Sequence, residues 1–234
     1  MASGFIVEIA GSWLFITAGH VFLDIEQLQD DGYELSHFRF HDAAAVGIFG
    51  FGVPFHFDRG RLLPIRDDAR GIDVAAYILH QLDVAALDSG GTVPIGPTAW
   101  QPVDRANYPL WSIMGIPGYS LRRVDSKLHY VLQQTPCGPT DGRPEGATPE
   151  QDEYRFYAKL RRIHGPEGTE GIKGLSGGPV FGVRVLNDGT VNYTLLGIQG
   201  GAFSEDRVTI SQAAPFFFDL ERMILDFRAT DSSC

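Results

Sequence analysis

Glycine and proline break this chain at short intervals, 28 Gly and 14 Pro in 234 residues. Each break shortens the helix or strand it can interrupt, because Gly costs about 1 kcal/mol and Pro about 3 kcal/mol inside a helix. Between the breaks lie short runs rich in β-branched and aromatic residues. Phe5 to Ala10 is such a run, Gly11-Ser12 is a turn signal, and Trp13 to Thr17 is a second run, so the pair reads as a hairpin. His37 to His41 alternates polar and apolar residues, the period of a half-buried strand. Val74 to Leu79 is an apolar run of strand length, and Tyr154 to Arg162 alternates with Tyr154, Phe156, Ala158 and Leu160 on one face. Val180 to Leu186 and Tyr193 to Ile198 flank Asn187-Asp188-Gly189-Thr190, a hairpin signal. Many short strands with frequent turns predict an all-β barrel or sandwich, not alternating βαβ units.

Two segments depart from that pattern. Pro215 opens a stretch whose apolar residues 216, 217, 220, 223, 224 and 227 recur at helical spacing, and proline suits a first helical turn. A C-terminal helix over about 215–228 is expected. Residues Thr135 to Pro149 are rich in Pro, Gly and charge and read as an exposed loop. A composition break near Gln101 to Tyr108 divides the chain into halves of about 5–105 and 106–214, within one unit spanning 1–234.

Composition narrows the function. The chain is 44% hydrophobic with a formal charge of −10, which is globular and the wrong sign for a general nucleic-acid binder. Only Cys137 and Cys234 occur, so disulfides cannot frame the fold. The first basic residue is Arg39 and Glu8 interrupts the early apolar stretch, unlike a secretory leader. The longest nearly apolar run, Ala43 to Phe55, is short of the roughly 20 residues a spanning helix needs. The expectation is a soluble, cytoplasmic protein with no membrane or nucleic-acid partner and no cofactor. His37 and His41 are four apart, a ligand spacing on a helix, but their segment alternates as a strand, so no metal site is expected.

The most informative stretch is Gly174-Leu175-Ser176-Gly177-Gly178-Pro179. Glycines around a serine permit a tight turn that exposes the hydroxyl and aims backbone N–H groups at one point, as an oxyanion hole requires. Alone, the motif reads equally as a glycine turn before a strand. A serine becomes a nucleophile only with a base, and the base needs an orienting group. The order Ser, Asp, His is impossible for Ser176, since the last histidine is His164. The order Asp, His, Ser stays formally open through the later histidines. The order His, Asp, Ser has good candidates: His20, where a β-rich run ends in small residues, and Asp73, at the head of an apolar strand. A carboxylate there needs a donor, which an imidazole N–H supplies.

Taken together these segments resemble the chymotrypsin/trypsin-like serine endopeptidases, in particular the bacterial trypsin-like type. Thr17-Ala18-Gly19-His20 resembles the family's Thr-Ala-Ala-His, Gly71-Ile72-Asp73-Val74-Ala75 its aspartate strand, and Gly174 to Pro179 its Gly-Asp-Ser-Gly-Gly-Pro. Met114 to Gly118 resembles its Gly-Tyr/Phe-Pro segment, and Leu196-Gly197-Ile198 the strand that lines the substrate cleft. The resemblance implies two antiparallel six-stranded β-barrels with the active site between them and a C-terminal α-helix. It implies a catalytic triad of His20, Asp73 and Ser176, with the backbone N–H groups of Gly174 and Ser176 as oxyanion hole. It also implies a protein or peptide substrate.

The sequence departs from the family at Leu175, where digestive relatives have an aspartate that receives a new N-terminal ammonium. Cutting the N-terminus is therefore not the expected switch; loop ordering (residues 135–149), a regulatory protein partner or an effector is. Glu170 stands six before the serine, where trypsins carry a specificity aspartate. It reads either as a substrate-binding carboxylate favouring a basic side chain or as a solvated loop residue. Gly200 and Gly201 follow the cleft strand and leave room for a substrate side chain. Three functions compete: a regulated intracellular serine endopeptidase acting on a specific protein, a catalytically silent peptide-binding scaffold on the same fold, and an esterase sharing the chemistry.

Overall fold

The computed structural model describes residues 2–36, 38–41, 52–67, 69–125, 127–161 and 172–231. Strands β1 (Phe5–Ile9) and β2 (Ser12–Thr17) form the expected hairpin, with Phe5 opposite Ile16 and Ile9 opposite Ser12. Ala10 and Gly11 turn it with φ of 48° and 70°, the left-handed region that suits glycine. Helix α1 (Gly19–Asp30) follows at once. A short ribbon pairs β3 (Arg39–Phe40) with β4 (Val53–Pro54). Then come β5 (Leu62–Asp67), β6 (Ile72–Ile78) and helix α2 (Gln81–Ser89). The N-terminal sheet runs β1-β2-β6-β5.

The second half holds β7 (Leu110–Gly115), a small β8 (Arg122–Val124) and β9 (Lys127–His129) ribbon, and β10 (Gln133–Pro139). It continues with β11 (Arg155–Leu160), β12 (Pro179–Val185), β13 (Val191–Ser204) and β14 (Arg207–Gln212). Six of these strands close a barrel in the order β10-β11-β14-β13-β12-β7, every pair antiparallel. Closure removes the open edges a sheet would otherwise expose. The chain ends in α3 (Ala213–Asp231), longer than expected at both ends.

The fold is therefore mostly β, with one closed six-stranded barrel and a C-terminal helix. The resemblance implied a second closed barrel. The described residues of the N-terminal half form a four-stranded sheet and a separate ribbon, so a second closure is not shown. Phe22, Phe40, Val53, Ala75, Tyr77, Leu79 and Leu87 form the core on one side of that sheet. The Phe57 and Tyr77 rings stack there at 5.7 Å, and Phe22 stacks on Phe57 at 5.6 Å.

A second core fills the barrel, and a third joins the halves. In that third core, Val7, Leu14, Ile16 and Val74 of the N-terminal sheet meet Leu195 and Ile198 of β13 and Phe216, Phe217 and Leu220 of α3. The Trp100 ring meets Phe217 edge-on at 5.4 Å. The joint core places the end of β2 beside the start of β12.

Three local expectations fail. The stretch expected as a loop over 135–149 begins inside β10, with Thr135 and Cys137 buried in the barrel. Helices α1 and α2 were not expected. Alternation puts Tyr157 on the face opposite Phe156 and Ala158, with Arg155 and Lys159, and that face reads as solvated; Tyr157 is nonetheless 8% exposed, with Phe203 packed edge-on against it at 5.7 Å. No helix among the described residues is long and apolar enough to cross a membrane.

Candidate active site

His20 lies in the first turn of α1, three residues past the end of β2. β6 pairs with β2 so that Thr17 faces Ala75, which brings Asp73 alongside the helix start. Asp73 Oδ2 accepts from His20 Nδ1 at 2.7 Å, and Oδ1 accepts from the His20 main-chain N–H at 2.9 Å. An ionised carboxylate only accepts, so Nδ1 carries the proton and Nε2 is the basic nitrogen. The second bond also serves the helix. The N-cap residue Ala18 offers no side chain to the orphan N–H groups, and Asp73 supplies the missing acceptor from the neighbouring strand.

Asp73 is held in turn. Its main-chain N–H donates to Ser211 Oγ at 3.3 Å. Gly19 crowds its carboxylate, since a Cβ there would stand 2.9 Å from Oδ1. The side chains of His20 and Asp73 stay 35% and 27% exposed, so the pair opens to solvent.

The serine loop is wound from two turns. Leu175 N–H donates to Ile172 O, and Gly178 N–H to Leu175 O. Gly174 and Gly177 adopt φ of 86° and 88°, which glycine alone reaches without strain. β13 fastens the loop, since Gly177 N–H donates to Gln199 O at 2.7 Å and Gln199 N–H to Gly178 O at 2.9 Å. Leu175 is 1% exposed and packs into the barrel core. Ser176 is half-buried.

The pattern of N–H groups is instructive. Those of Leu175, Gly177 and Gly178 reach carbonyls, whereas among the described residues those of Gly174 and Ser176 reach none. These are the donors assigned to the oxyanion hole from the sequence. Each is aimed by its own peptide, because a trans peptide points its N–H opposite to its carbonyl. Lys173 O accepts from Gly118 N–H at 2.7 Å, which directs the Gly174 N–H outward. Leu175 O accepts from Gly178 N–H, which does the same for Ser176.

The loop sits against the end of β2. A Cβ at Gly177 would come 2.1 Å from Thr17 Oγ1 and 2.7 Å from Ala18 N, so only glycine fits where the serine loop meets the strand that leads to His20. The structure thus brings the serine segment to the His20 segment and joins His20 to Asp73 directly. Gly201 lines a polar cleft of about 280 Å³ with His20, Asp73, Arg155, Thr209 and Ser211. Glu170 lies outside the described residues, as does His37. Ser211, Thr209 and Arg155 were not foreseen: Arg155 sits in a segment that reads only as a strand, Thr209 and Ser211 sit on β14, which was not anticipated, and no motif marks them.

Among the described residues no group of three or more His, Cys, Asp or Glu is placed to hold a metal ion. Burial pushes the Cys137 thiol up to about 12, despite the nearby Arg161 cation. Neither a protein-family profile nor a curated protein sequence matches the chain.

Proposed function

We propose that this chain is a serine endopeptidase of the chymotrypsin-like class, cleaving peptide bonds through His20, Asp73 and Ser176. The observation that carries the reading is the hydrogen bond from His20 Nδ1 to Asp73 Oδ2, which leaves Nε2 as the basic nitrogen, while Oδ1 holds the His20 main-chain N–H. The N–H groups of Gly174 and Ser176, which reach no carbonyl among the described residues, support it. In this mechanism Ser176 Oγ attacks the scissile carbonyl while His20 Nε2 takes its proton. The two N–H groups stabilise the oxyanion, and Asp73 stabilises the imidazolium. His20 then protonates the leaving amine, and water hydrolyses the acyl-enzyme by the reverse proton path.

The substrate is a protein or peptide chain laid beside Gly201, where an added Cβ would meet nothing within 4 Å; at Gly200, expected from the sequence to leave room as well, Thr209 Oγ1 would stand 2.9 Å from a Cβ and fills the space. We place the enzyme in the cytoplasm, acting on a specific protein under the control of a partner or effector. A fluorophosphonate probe tests the reading. Wild type should label at Ser176, and Ser176→Ala should not label and should lose roughly 10⁴–10⁶-fold in peptide hydrolysis with its fold intact. Absence of labelling in the wild type would favour the silent peptide-binding scaffold instead.

A further inference from the structure

We propose that Ser3 is a positioning residue that holds the oxyanion loop in its working conformation. Ser3 is 4% exposed and far from the serine loop in sequence. Its hydroxyl donates to Gly174 O at 2.6 Å and accepts from Ile116 N–H at 2.9 Å. Its own carbonyl accepts from Thr17 Oγ1 at 2.7 Å, and Thr17 is fully buried. One residue therefore ties together the end of β7, the end of β2 and the serine loop.

The space around Ser3 is kept by glycines. A Cβ at Gly115 would meet Ser3 Oγ at 2.7 Å, and one at Gly177 would meet Ser3 O at 2.4 Å. Three successive peptides of the loop are each held through their carbonyls: 173–174 by Gly118 N–H, 174–175 by Ser3 Oγ and 175–176 by Gly178 N–H. The outer two aim the oxyanion donors. The middle one has no backbone partner among the described residues, and Gly174 has no Cβ to restrict its φ, which stands at 86°. Without Ser3, rotation of the 174–175 peptide would swing its carbonyl, and the directions of the flanking N–H groups would drift with it. Leu175 is apolar and buried, and the hold on the neighbouring Gly174 carbonyl comes from a neutral serine hydroxyl.

The consequence for catalysis rests on the reading of Ser176 as nucleophile, so the test has two arms. The first measures amide hydrogen exchange in Ser3→Ala, which removes one oxygen and adds no bulk. Ile116 and residues 174–178 should lose protection while the rest of the barrel keeps it. The second measures probe labelling of Ser176. The maximal acylation rate should fall about 10- to 100-fold, as misplacement by about an ångström does, with the reversible probe affinity unchanged. Ser3→Cys retains a weak donor, should fall between the two, and decides the matter if Ser3→Ala fails to fold. Unchanged exchange at Ile116 and 174–178 overturns the proposal whether or not the protein labels. A wild type that does not label overturns the catalytic reading and leaves the exchange arm to judge Ser3.

Discussion

Asp73 grips His20 at two points, the ring through Oδ2 and the main chain through Oδ1, so one carboxylate both orients the imidazole and caps the helix that carries it. The two tasks fix different degrees of freedom. The ring bond sets the tautomer, and the main-chain bond sets the position of the helix start. An ordinary helix cap at residue 18 would leave the ring unoriented. A ring partner alone would leave the first turn of α1 with an unsatisfied N–H.

Asp73→Asn separates these tasks. The amide oxygen can keep the bond to the His20 N–H, and the amide nitrogen then faces Nδ1 as a donor. The ring must accept at Nδ1, carry its proton on Nε2, and cease to be a base toward Ser176. Thermal stability should stay near wild type while hydrolysis falls about 10⁴-fold. Asp73→Ala should lose hydrolysis and also about 1–2 kcal/mol of stability, the cost of an uncapped helix start. Matched urea titrations and peptide-cleavage rates on the two variants check this. Equal stability losses in both would refute the capping role.

Gly177 and Gly189 share a left-handed φ, 88° and 83°, but not a neighbourhood. At Gly177 a Cβ collides with Thr17 Oγ1, Ser3 O and Ala18 N, whereas at Gly189 it meets nothing within 4 Å. Gly189→Ala should therefore cost only the backbone term, about 1 kcal/mol, with activity kept. Gly177→Ala should cost more than that and abolish labelling of Ser176, because the loop must move away from β2. Denaturation midpoints with probe labelling measure both. Similar behaviour of the two variants would sink the close fit between the loop and β2.

Gly19 should be intolerant for a different reason. Its φ is not left-handed, but a Cβ would stand 2.9 Å from Asp73 Oδ1. Gly19→Ala should push the carboxylate off the His20 N–H. Peptide hydrolysis should drop at least about 10-fold, with the loss greater in turnover than in substrate affinity. A variant with wild-type turnover would show that Asp73 has room to yield.

Much of this site was legible because each part depends on local chain chemistry. The glycines of residues 174–178 announce a tight turn, and the β1–β2 and β12–β13 hairpins carry their own turn residues. The strand period marked Phe156, Ala158 and Leu160 as buried. What was not legible depends on packing between distant segments. Ser3 looks like any polar residue ahead of a strand until the joint core brings it to Gly174 and Ile116. Helix α1 lacks an N-cap side chain, so no local start signal exists; its acceptor comes from β6. β10 hides inside a Pro- and Gly-rich stretch because its partners β7 and β11 supply the ladder that its own propensity would not predict.

Cys137 tests the second half of the fold independently of catalysis. It is 1% exposed in the barrel core, and burial raises its thiol to about 12. Alkylation needs the thiolate, so at pH 8 the folded protein should react at Cys137 roughly a thousandfold more slowly than an unperturbed cysteine. The same shift links to stability. The folded state disfavours the thiolate, so this group's contribution is complete below the ordinary thiol value and is lost as pH rises toward 12. Iodoacetamide labelling followed by peptide mapping, with and without urea, measures the contrast directly. Cys137 should label only in urea, and the treated native protein should keep the fluorophosphonate labelling at Ser176 that the proposed function expects. Rapid native labelling at Cys137 would mean that β10 is not sealed between β7 and β11.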